Sequence, residues 1–190
     1  MKWEEVVKTH DIRLMYQEAH LDKIIHLPQP MLDLAKRWVD SPRRPSLFLS
    51  GDVGSGKTYF MTALFRAIVE RGHTWFRFTR SVDLFDELLQ KMMGASNKSN
   101  EYHLRSIGEV PFLFLDDVGV ETLTDRVKKE YFSIIDYRTS SRLPFVFTSN
   151  FSKEEFGKML GDRVSSRMNL CAEIVFPGRD LRKEVDVLDF

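Results

Sequence analysis

A glycine-rich stretch in the first third of the chain constrains the fold more than any other feature. Residues 51–58 read Gly-Asp-Val-Gly-Ser-Gly-Lys-Thr and fit the pattern G-x-x-x-x-G-K-[ST]. Three glycines allow the backbone to curve, so that several N–H groups point at one anion. Apolar residues 47–50 before the stretch predict a buried strand, and residues 59–70 after it predict a helix whose N-terminal dipole favours an anion. This order predicts a polyphosphate-binding loop rather than an ordinary glycine turn.

Two residues of this loop have individual roles in such a site. The Lys57 ammonium is expected to reach the β- and γ-phosphates, and the Thr58 hydroxyl is expected to bind Mg²⁺. The predicted phosphate-binding residues are Gly51, Asp52, Val53, Gly54, Ser55, Gly56, Lys57 and Thr58.

Composition excludes several classes of protein. The chain has 190 residues, 43% hydrophobic and 29% charged, which suits one globular domain with a full core. Lysine plus arginine equals aspartate plus glutamate at 28 each, so a nucleic-acid interface would have to be a local basic patch. Cys171 is the only cysteine, which excludes an intrachain disulfide and a cysteine zinc cluster. No apolar run approaches the roughly 20 residues of a membrane span, so a cytoplasmic protein without a membrane partner is expected.

The chain divides into an N-terminal extension over residues 1–40 and a main domain over residues 41–190. Short helices are predicted in the extension, which we expect to contribute to the nucleotide pocket. Ile24, Ile25 and Leu27 are candidates for contact with a nucleotide base, with core packing as the alternative.

Further strands are predicted at residues 74–79, 110–117, 143–150 and 171–176, separated by amphipathic helices that include residues 81–93 and 123–138. Residues 153–168 predict a helix with a break near Gly161. Five strands that alternate with helices predict a parallel sheet with helices on both faces, a three-layer αβα sandwich.

Acidic and amide side chains follow two of these strands. Asp116 and Asp117 follow the apolar run of residues 110–115, and Asn150 follows residues 143–149. Ligands of open α/β folds bind at the carboxyl ends of the strands. Asp116 fits the acid that holds the Mg²⁺ shell, Asp117 the group that polarises the attacking water, and Asn150 a contact to the γ-phosphate or the water.

Taken in order, these motifs make the chain resemble an AAA+ ATPase with a P-loop NTPase fold. It is most similar to the DnaC/DnaI helicase loaders and to the IstB transposition helpers, over roughly residues 20–185. The segments that carry the resemblance are residues 51–58, Phe114-Leu115-Asp116-Asp117-Val118-Gly119, Thr148-Ser149-Asn150, residues 161–168 and residues 178–183.

The resemblance implies ATP as the nucleotide, Mg²⁺ as the metal and ATP hydrolysis as the activity. Asn150 matches the sensor I position, Arg167 the arginine finger that acts on ATP of the next subunit, and Arg182 the sensor II arginine. It further implies self-assembly into an ATP-dependent oligomer, with a replicative helicase or a transposase as partner and single- or double-stranded DNA as ligand. Members of this branch lack the helical lid of most AAA+ proteins, and no lid is expected here.

Other interpretations remain open at this level. Helicase loaders carry an N-terminal helicase-binding domain, whereas only about forty residues precede the first strand here. A transposition helper, a P-loop small-molecule kinase and a nucleotide-binding module without turnover are the alternatives. Basic residues that flank the second strand and its helix are candidates for DNA contact, with solvated surface charges as the other interpretation; they are Arg77, Arg80, Lys91 and Lys98.

Overall fold

The computed structural model describes residues 2–10, 12–25, 27–93, 107, 109–178 and 181, and for residues 91–93 the backbone only. The strands are β1 Leu47–Ser50, β2 Phe76–Arg80, β3 Phe112–Asp116, β4 Phe145–Ser149 and β5 Ala172–Val175. They form one sheet in the order β2-β3-β4-β1-β5, and every pairing is parallel. The predicted five-stranded parallel sheet is therefore confirmed.

Two helices precede the first strand, and the other helices lie between the strands. They are α1 Trp3–Thr9, α2 Gln29–Asp40, α3 Lys57–Glu70, α4 Ser81–Met93, α5 Asp125–Ser140, α6 Lys153–Leu160 and α7 Asp162–Met168, with 3-10 turns at Leu14–Tyr16 and Leu21–Lys23. The helix predicted at residues 123–138 begins two residues later because Thr124 caps it, accepting a hydrogen bond from the Val127 N–H. Gly161, with φ at 101°, separates α6 from α7 as the sequence predicts.

The sheet separates two hydrophobic cores. Phe112 and Phe114 of β3 belong to one core, whereas Leu113 and Leu115 belong to the other. Buried residues of α1, α2 and α3 complete the first core, and those of α4, α5, α6 and α7 complete the second. The strands are thus covered on both faces, which accounts for their nearly continuous apolar sequences and gives the three-layer sandwich.

The N-terminal segment packs onto the first core beside α3. The Trp3 and Phe65 rings meet edge to face, with centroids 5.8 Å apart. Ile24 and Leu27 are buried in this core, so the idea that they contact a base is wrong for these two residues. Ile25, which lies between the buried Ile24 and Leu27, is 92% exposed because the chain turns its side chain away from the core.

Cys171 lies in the second core, and burial raises the pKa of its thiol to about 12. The thiol therefore behaves as a small apolar group rather than a nucleophile. Within the described part of the chain, no helix has the length and apolar character needed to cross a membrane.

Candidate functional site

The loop between β1 and α3 has the backbone shape that its sequence predicts. Gly51, Gly54 and Gly56 all have positive φ angles, at 144°, 81° and 94°. A Cβ on Gly51 would lie 2.8 Å from the Phe176 carbonyl oxygen, because the chain leaving β5 runs against the loop. Glycine is therefore required at position 51 by both conformation and space. The resulting cradle at the start of α3 fits a polyphosphate group.

Lys57 crosses this cradle and is only 5% exposed. Its ammonium donates hydrogen bonds to the carbonyl oxygens of Gly51 and Asp52, at 2.7 Å each, and to Asn150 Oδ1 at 3.0 Å. Asn150 directly follows β4, which is the neighbour of β1 in the sheet. The sheet order therefore brings together a lysine and an amide that are 93 residues apart.

Thr58 and Asp116 form an oxygen pair beside the lysine. The Thr58 hydroxyl donates to Asp116 Oδ1 at 3.0 Å, and the Thr148 hydroxyl donates to the same oxygen at 2.5 Å. Burial raises the pKa of Asp116, and the Thr148 hydrogen bond opposes that rise. A hydroxyl and a carboxylate are hard oxygen ligands of the kind that Mg²⁺ binds. Among the described residues no cluster of three acidic, histidine or cysteine side chains exists, so Mg²⁺ here would also need phosphate and water oxygens.

Asp117 leaves the direction of the strand. Its φ angle is 56°, a left-handed conformation that is uncommon for a residue with a side chain. The Asp117 N–H donates to Thr148 Oγ1 at 2.9 Å, and the Val118 N–H donates to the Thr148 carbonyl oxygen at 2.8 Å. Asp116 and Asp117 therefore lie in different environments: the first is buried against two hydroxyls, and the second is half-buried at the cavity wall.

A cavity of about 700 Å³ opens over these residues, within the range of small-molecule sites. Residues of the glycine loop and of the strand ends line it: Val53, Gly54, Ser55, Gly56, Lys57, Thr58, Asp116, Asp117 and Asn150. The N-terminal segment also lines it, through Arg13, Met15, Tyr16, Lys23 and Ile25. The buried Ser55 hydroxyl lines this cavity and has no hydrogen-bond partner among the residues that the structure describes. An unpartnered polar atom beside a glycine cradle fits a site for a polar, phosphate-bearing ligand.

Two residues of the site, Thr148 and Arg13, were not identified by sequence analysis. Thr148 binds both the Asp116 carboxylate and the Asp117 N–H, and its only signal was its place two residues before Asn150. Arg13 lines the large cavity and also an adjoining one of about 460 Å³, and its charge acts to lower the pKa of Asp116. No motif in the sequence marks Arg13.

Of the two predicted arginines, the structure describes Arg167, which lies apart from this group. Arg167 lies on α7 and pairs with Asp136 of α5, with Nη2 2.6 Å from Oδ1. Its guanidinium also lies over the Phe132 ring, 5.8 Å from the centroid. It does not line the cavity of its own chain. Arg182 lies outside the described residues.

The basic residues proposed for DNA contact are partly neutralised. Arg77 pairs with Glu87 at 2.5 Å, and Arg80 pairs with Asp83 through two nitrogens at 2.6 Å each. These ion pairs favour the interpretation of Arg77 and Arg80 as surface charges. The Lys91 side chain and all of Lys98 lie outside the described part of the structure.

The family model described as IstB-like ATP binding protein matches residues 6–170 of this chain. The chain belongs to this family. The match includes most of the N-terminal segment, the glycine loop, and Lys57, Thr58, Asp116, Asp117 and Asn150 of the cavity. This IstB-like chain is thus an ATP-binding protein with an AAA+ fold.

Curated relatives are replicative helicase loaders. DnaC of Buchnera aphidicola is 29% identical over 175 residues, which cover 90% of this chain and 71% of that protein. DnaC of Escherichia coli K12 is 31% identical over 125 residues, which cover 66% of this chain and 50% of that protein. This IstB-like chain therefore matches about half the length of the Escherichia coli relative.

The fold agrees with these relatives. The crystal structure of a DnaC helicase loader superposes with a TM-score of 0.75 and 25% identity, covering 87% of this chain and 100% of that one. The resemblance to the DnaC/DnaI and IstB branch and the fold class predicted from the sequence are both confirmed.

Proposed function

We propose that this protein is an assembly-dependent ATPase that acts in DNA replication by loading or remodelling a replicative helicase. One observation carries the proposal: Lys57, Thr58, Asp116, Asp117 and Asn150, which lie at or beyond the carboxyl ends of three neighbouring strands, converge on one cavity of nucleotide size. A nucleotide-binding module without turnover would not need the two carboxylates and the amide in these positions.

Each residue has a role that follows from its contacts. Lys57 holds carbonyl oxygens at the loop, and on binding ATP it would exchange them for β- and γ-phosphate oxygens. Thr58 and Asp116 would hold Mg²⁺, which neutralises phosphate charge when bound. Asp117 would accept a proton from the attacking water, and Asn150 would hold the water or the γ-phosphate. Asp116 is buried, so a bound cation there would compensate for the burial of its charge.

The N-terminal segment completes the pocket in this proposal. Met15, Tyr16 and Ile25 line the same cavity as the glycine loop and contribute apolar surface to it. An adenine base needs such surface, whereas the phosphates need the cradle. We therefore propose that Ile25 contacts the base. We also propose that residues 1–40 form an extension of the main domain and not a separately folded unit.

Arg167 is proposed as the arginine finger that completes the site of an adjoining subunit. Its absence from the cavity of its own chain agrees with this role, as does the partial exposure of its side chain. Arg182 is retained as the proposed sensor II arginine. A finger in trans makes hydrolysis depend on self-assembly.

A transposition helper is the second candidate, because the family model that matches the chain is IstB-like. Both candidates are ATP-dependent switches that act with DNA, and they differ in the protein partner. The curated relatives favour a replicative helicase over a transposase. A small-molecule kinase has no support from the relatives.

The testing experiment measures ATP hydrolysis against protein concentration, with and without single- and double-stranded DNA. We expect specific activity to rise with concentration and Lys57→Ala to abolish it. A co-purification experiment with the replicative helicase and with a transposase from the same cell separates the two candidates. Binding to the helicase supports the helicase loader, and binding to the transposase supports the transposition helper. Absence of hydrolysis at every concentration, with either DNA, would overturn the proposed ATPase.

A further inference from the structure

We infer that Glu121 is a positioning residue for Asp117, and that it acts through the hydroxyl of Ser81. This inference rests on the proposed ATPase function, in which Asp117 polarises the attacking water. Glu121 follows Asp117 by four residues and does not line the large cavity. Its effect on the reaction would therefore pass entirely through its neighbours.

Asp117 needs support from both sides because its backbone is strained. A non-glycine residue at φ 56° lies in the left-handed region, which is strained relative to ordinary backbone. The β4 side supplies one set of contacts, in which Thr148 accepts from the Asp117 N–H and Ser149 donates to the Val118 carbonyl oxygen at 2.7 Å. These contacts fix the chain on each side of the Asp117 carbonyl but leave that carbonyl itself to be held.

Ser81 holds the Asp117 carbonyl from the opposite side. It is the first residue of α4, directly after β2, and it is fully buried. Its hydroxyl lies 2.7 Å from the Asp117 carbonyl oxygen and 2.7 Å from Glu121 Oε2. The hydroxyl has one hydrogen, and the two acceptors share it in a three-centre hydrogen bond that connects the strained residue to the carboxyl group of Glu121.

Glu121 is itself fixed by two further contacts. The Tyr131 hydroxyl of α5 donates to Glu121 Oε1, and the Gly119 N–H donates to the same oxygen at 3.3 Å. Burial and the adjacent Glu121 raise the pKa of Tyr131 well above its ordinary value, so the phenol keeps its proton and remains a donor. Glu121 therefore joins α4, α5 and the loop after β3 at one point, and the conformation of Asp117 depends on that point.

The test compares three substitutions by ATP turnover and by nucleotide affinity. Glu121→Ala removes every contact, and we expect turnover to fall on the order of 100-fold while the ATP dissociation constant stays within about 2-fold. Glu121→Gln keeps an acceptor for Tyr131 and Gly119 and offers an amide N–H to Ser81, so we expect it to retain turnover. Ser81→Ala removes only the bridging hydroxyl and serves if Glu121→Ala fails to fold. Glu154→Ala, an exposed acid that pairs with Lys158, is the matched control.

A second comparison separates a positioning role from a general structural one. In an Asp117→Asn background, Glu121→Ala should cause no further loss of turnover, because its effect passes through Asp117. The inference would be overturned if the losses of turnover multiplied in the double variant. It would also be overturned if Glu121→Gln and Glu121→Ala were equally impaired, or if Glu121→Ala and Ser81→Ala both had normal turnover.

The conformation of Asp117 supplies a readout that does not need turnover. The backbone coupling constant and Cβ chemical shift of Asp117, measured by NMR in the nucleotide-free protein, should leave left-handed values in Glu121→Ala and keep them in Glu121→Gln. Unchanged values in Glu121→Ala would overturn the inference even if the wild type hydrolyses ATP. A wild type without hydrolysis would overturn the proposed function, while the NMR comparison would still decide whether Glu121 holds Asp117.

Discussion

Arg167 and Asp136 form an ion pair within one chain, in which Nε and Nη2 of the arginine lie 2.7 and 2.6 Å from the same carboxylate oxygen. Both side chains are about one-third exposed, so the pair contributes at most about 1 kcal/mol. An arginine that acts on an adjoining subunit would have to leave this partner. The pair is weak enough for assembly to break.

The first prediction concerns the trans role of Arg167. Arg167→Ala should bind ATP normally and hydrolyse it about 10³–10⁵-fold more slowly, because a finger neutralises transition-state charge. Mixing it with Lys57→Ala should restore partial activity, since an interface can pair an intact glycine loop with an intact Arg167. A mixture that co-assembles and remains inactive would exclude this mechanism, and Arg163 or Arg182 acting within one chain would then be the better candidate.

The second prediction concerns Asp136. Asp136→Asn weakens the internal pair, so assembly should engage Arg167 more readily. The protein concentration that gives half-maximal ATPase activity should fall by up to about 5-fold, the factor that corresponds to about 1 kcal/mol. Lys158→Ala, which breaks an exposed ion pair on α6, is the control and should leave that concentration unchanged. An unchanged concentration in Asp136→Asn would mean that the pair does not restrain Arg167.

The third prediction concerns the pH dependence of stability. The pKa of Asp116 is raised above its ordinary value of 3.8, so the buried carboxylate destabilises the nucleotide-free protein at neutral pH. That cost is present above the folded-state pKa and is relieved as pH falls from there towards 3.8. Asp116→Asn still accepts hydrogen bonds from Thr58 and Thr148 and carries no charge.

Asp116→Asn should therefore melt at a higher temperature than wild type at pH 7, by about 2–4 °C for each kcal/mol recovered. The difference should shrink in acid and should reverse at neutral pH when Mg²⁺ and ATP are added, because only the wild type gains from the metal. Melting curves across pH, with and without Mg²⁺·ATP, measure both effects. A lower melting temperature than wild type without ligand would show that burial of this charge is not costly.

The fourth prediction compares two glycines with positive φ. Gly51→Ala places a methyl group 2.8 Å from the Phe176 carbonyl oxygen, whereas Gly72→Ala meets nothing within 4 Å. Gly72→Ala should lose about 1–2 kcal/mol from backbone strain alone. Gly51→Ala should lose more and should also abolish ATP binding, because the loop must move away from β5. Urea unfolding and nucleotide titration check the two effects, and equal losses of stability would refute the role of Phe176.

Local patterns predicted the sheet, and they predicted which residues would come together at the candidate site, because each depends on residues adjacent in sequence. The glycine loop lies between its strand and helix, and the acids and the amide follow strands, so parallel pairing alone brings Lys57 to Asn150. The same patterns assign a residue to a strand end but do not give its backbone angles. The left-handed turn at Asp117 therefore escaped prediction, as did the role of Thr148 in holding it.

Contacts between separate helices and loops were beyond the sequence for a different reason. Asp136 meets Arg167 across 31 residues, through the packing of α7 on α5. Ser81 meets Glu121 across 40 residues, through the place of α4 beside the loop after β3. The direction of the Ile25 side chain depends on the path of its segment, in which the apolar residues follow no regular spacing. Each depends on the relative position of two elements, which no single stretch encodes.

The place of β1 in the sheet has a consequence for synthesis of the chain on the ribosome. Among the strands that the structure describes, β1 pairs with β4 and β5 alone, so its partners begin about 100 residues after it. While the chain emerges, β2 and β3 can pair with each other, but the glycine loop has no flanking strands until β4 and β5 follow. Contacts of such long separation form slowly. The nascent protein would therefore acquire its nucleotide pocket last, and a stalled or truncated chain would have secondary structure but no capacity to bind ATP.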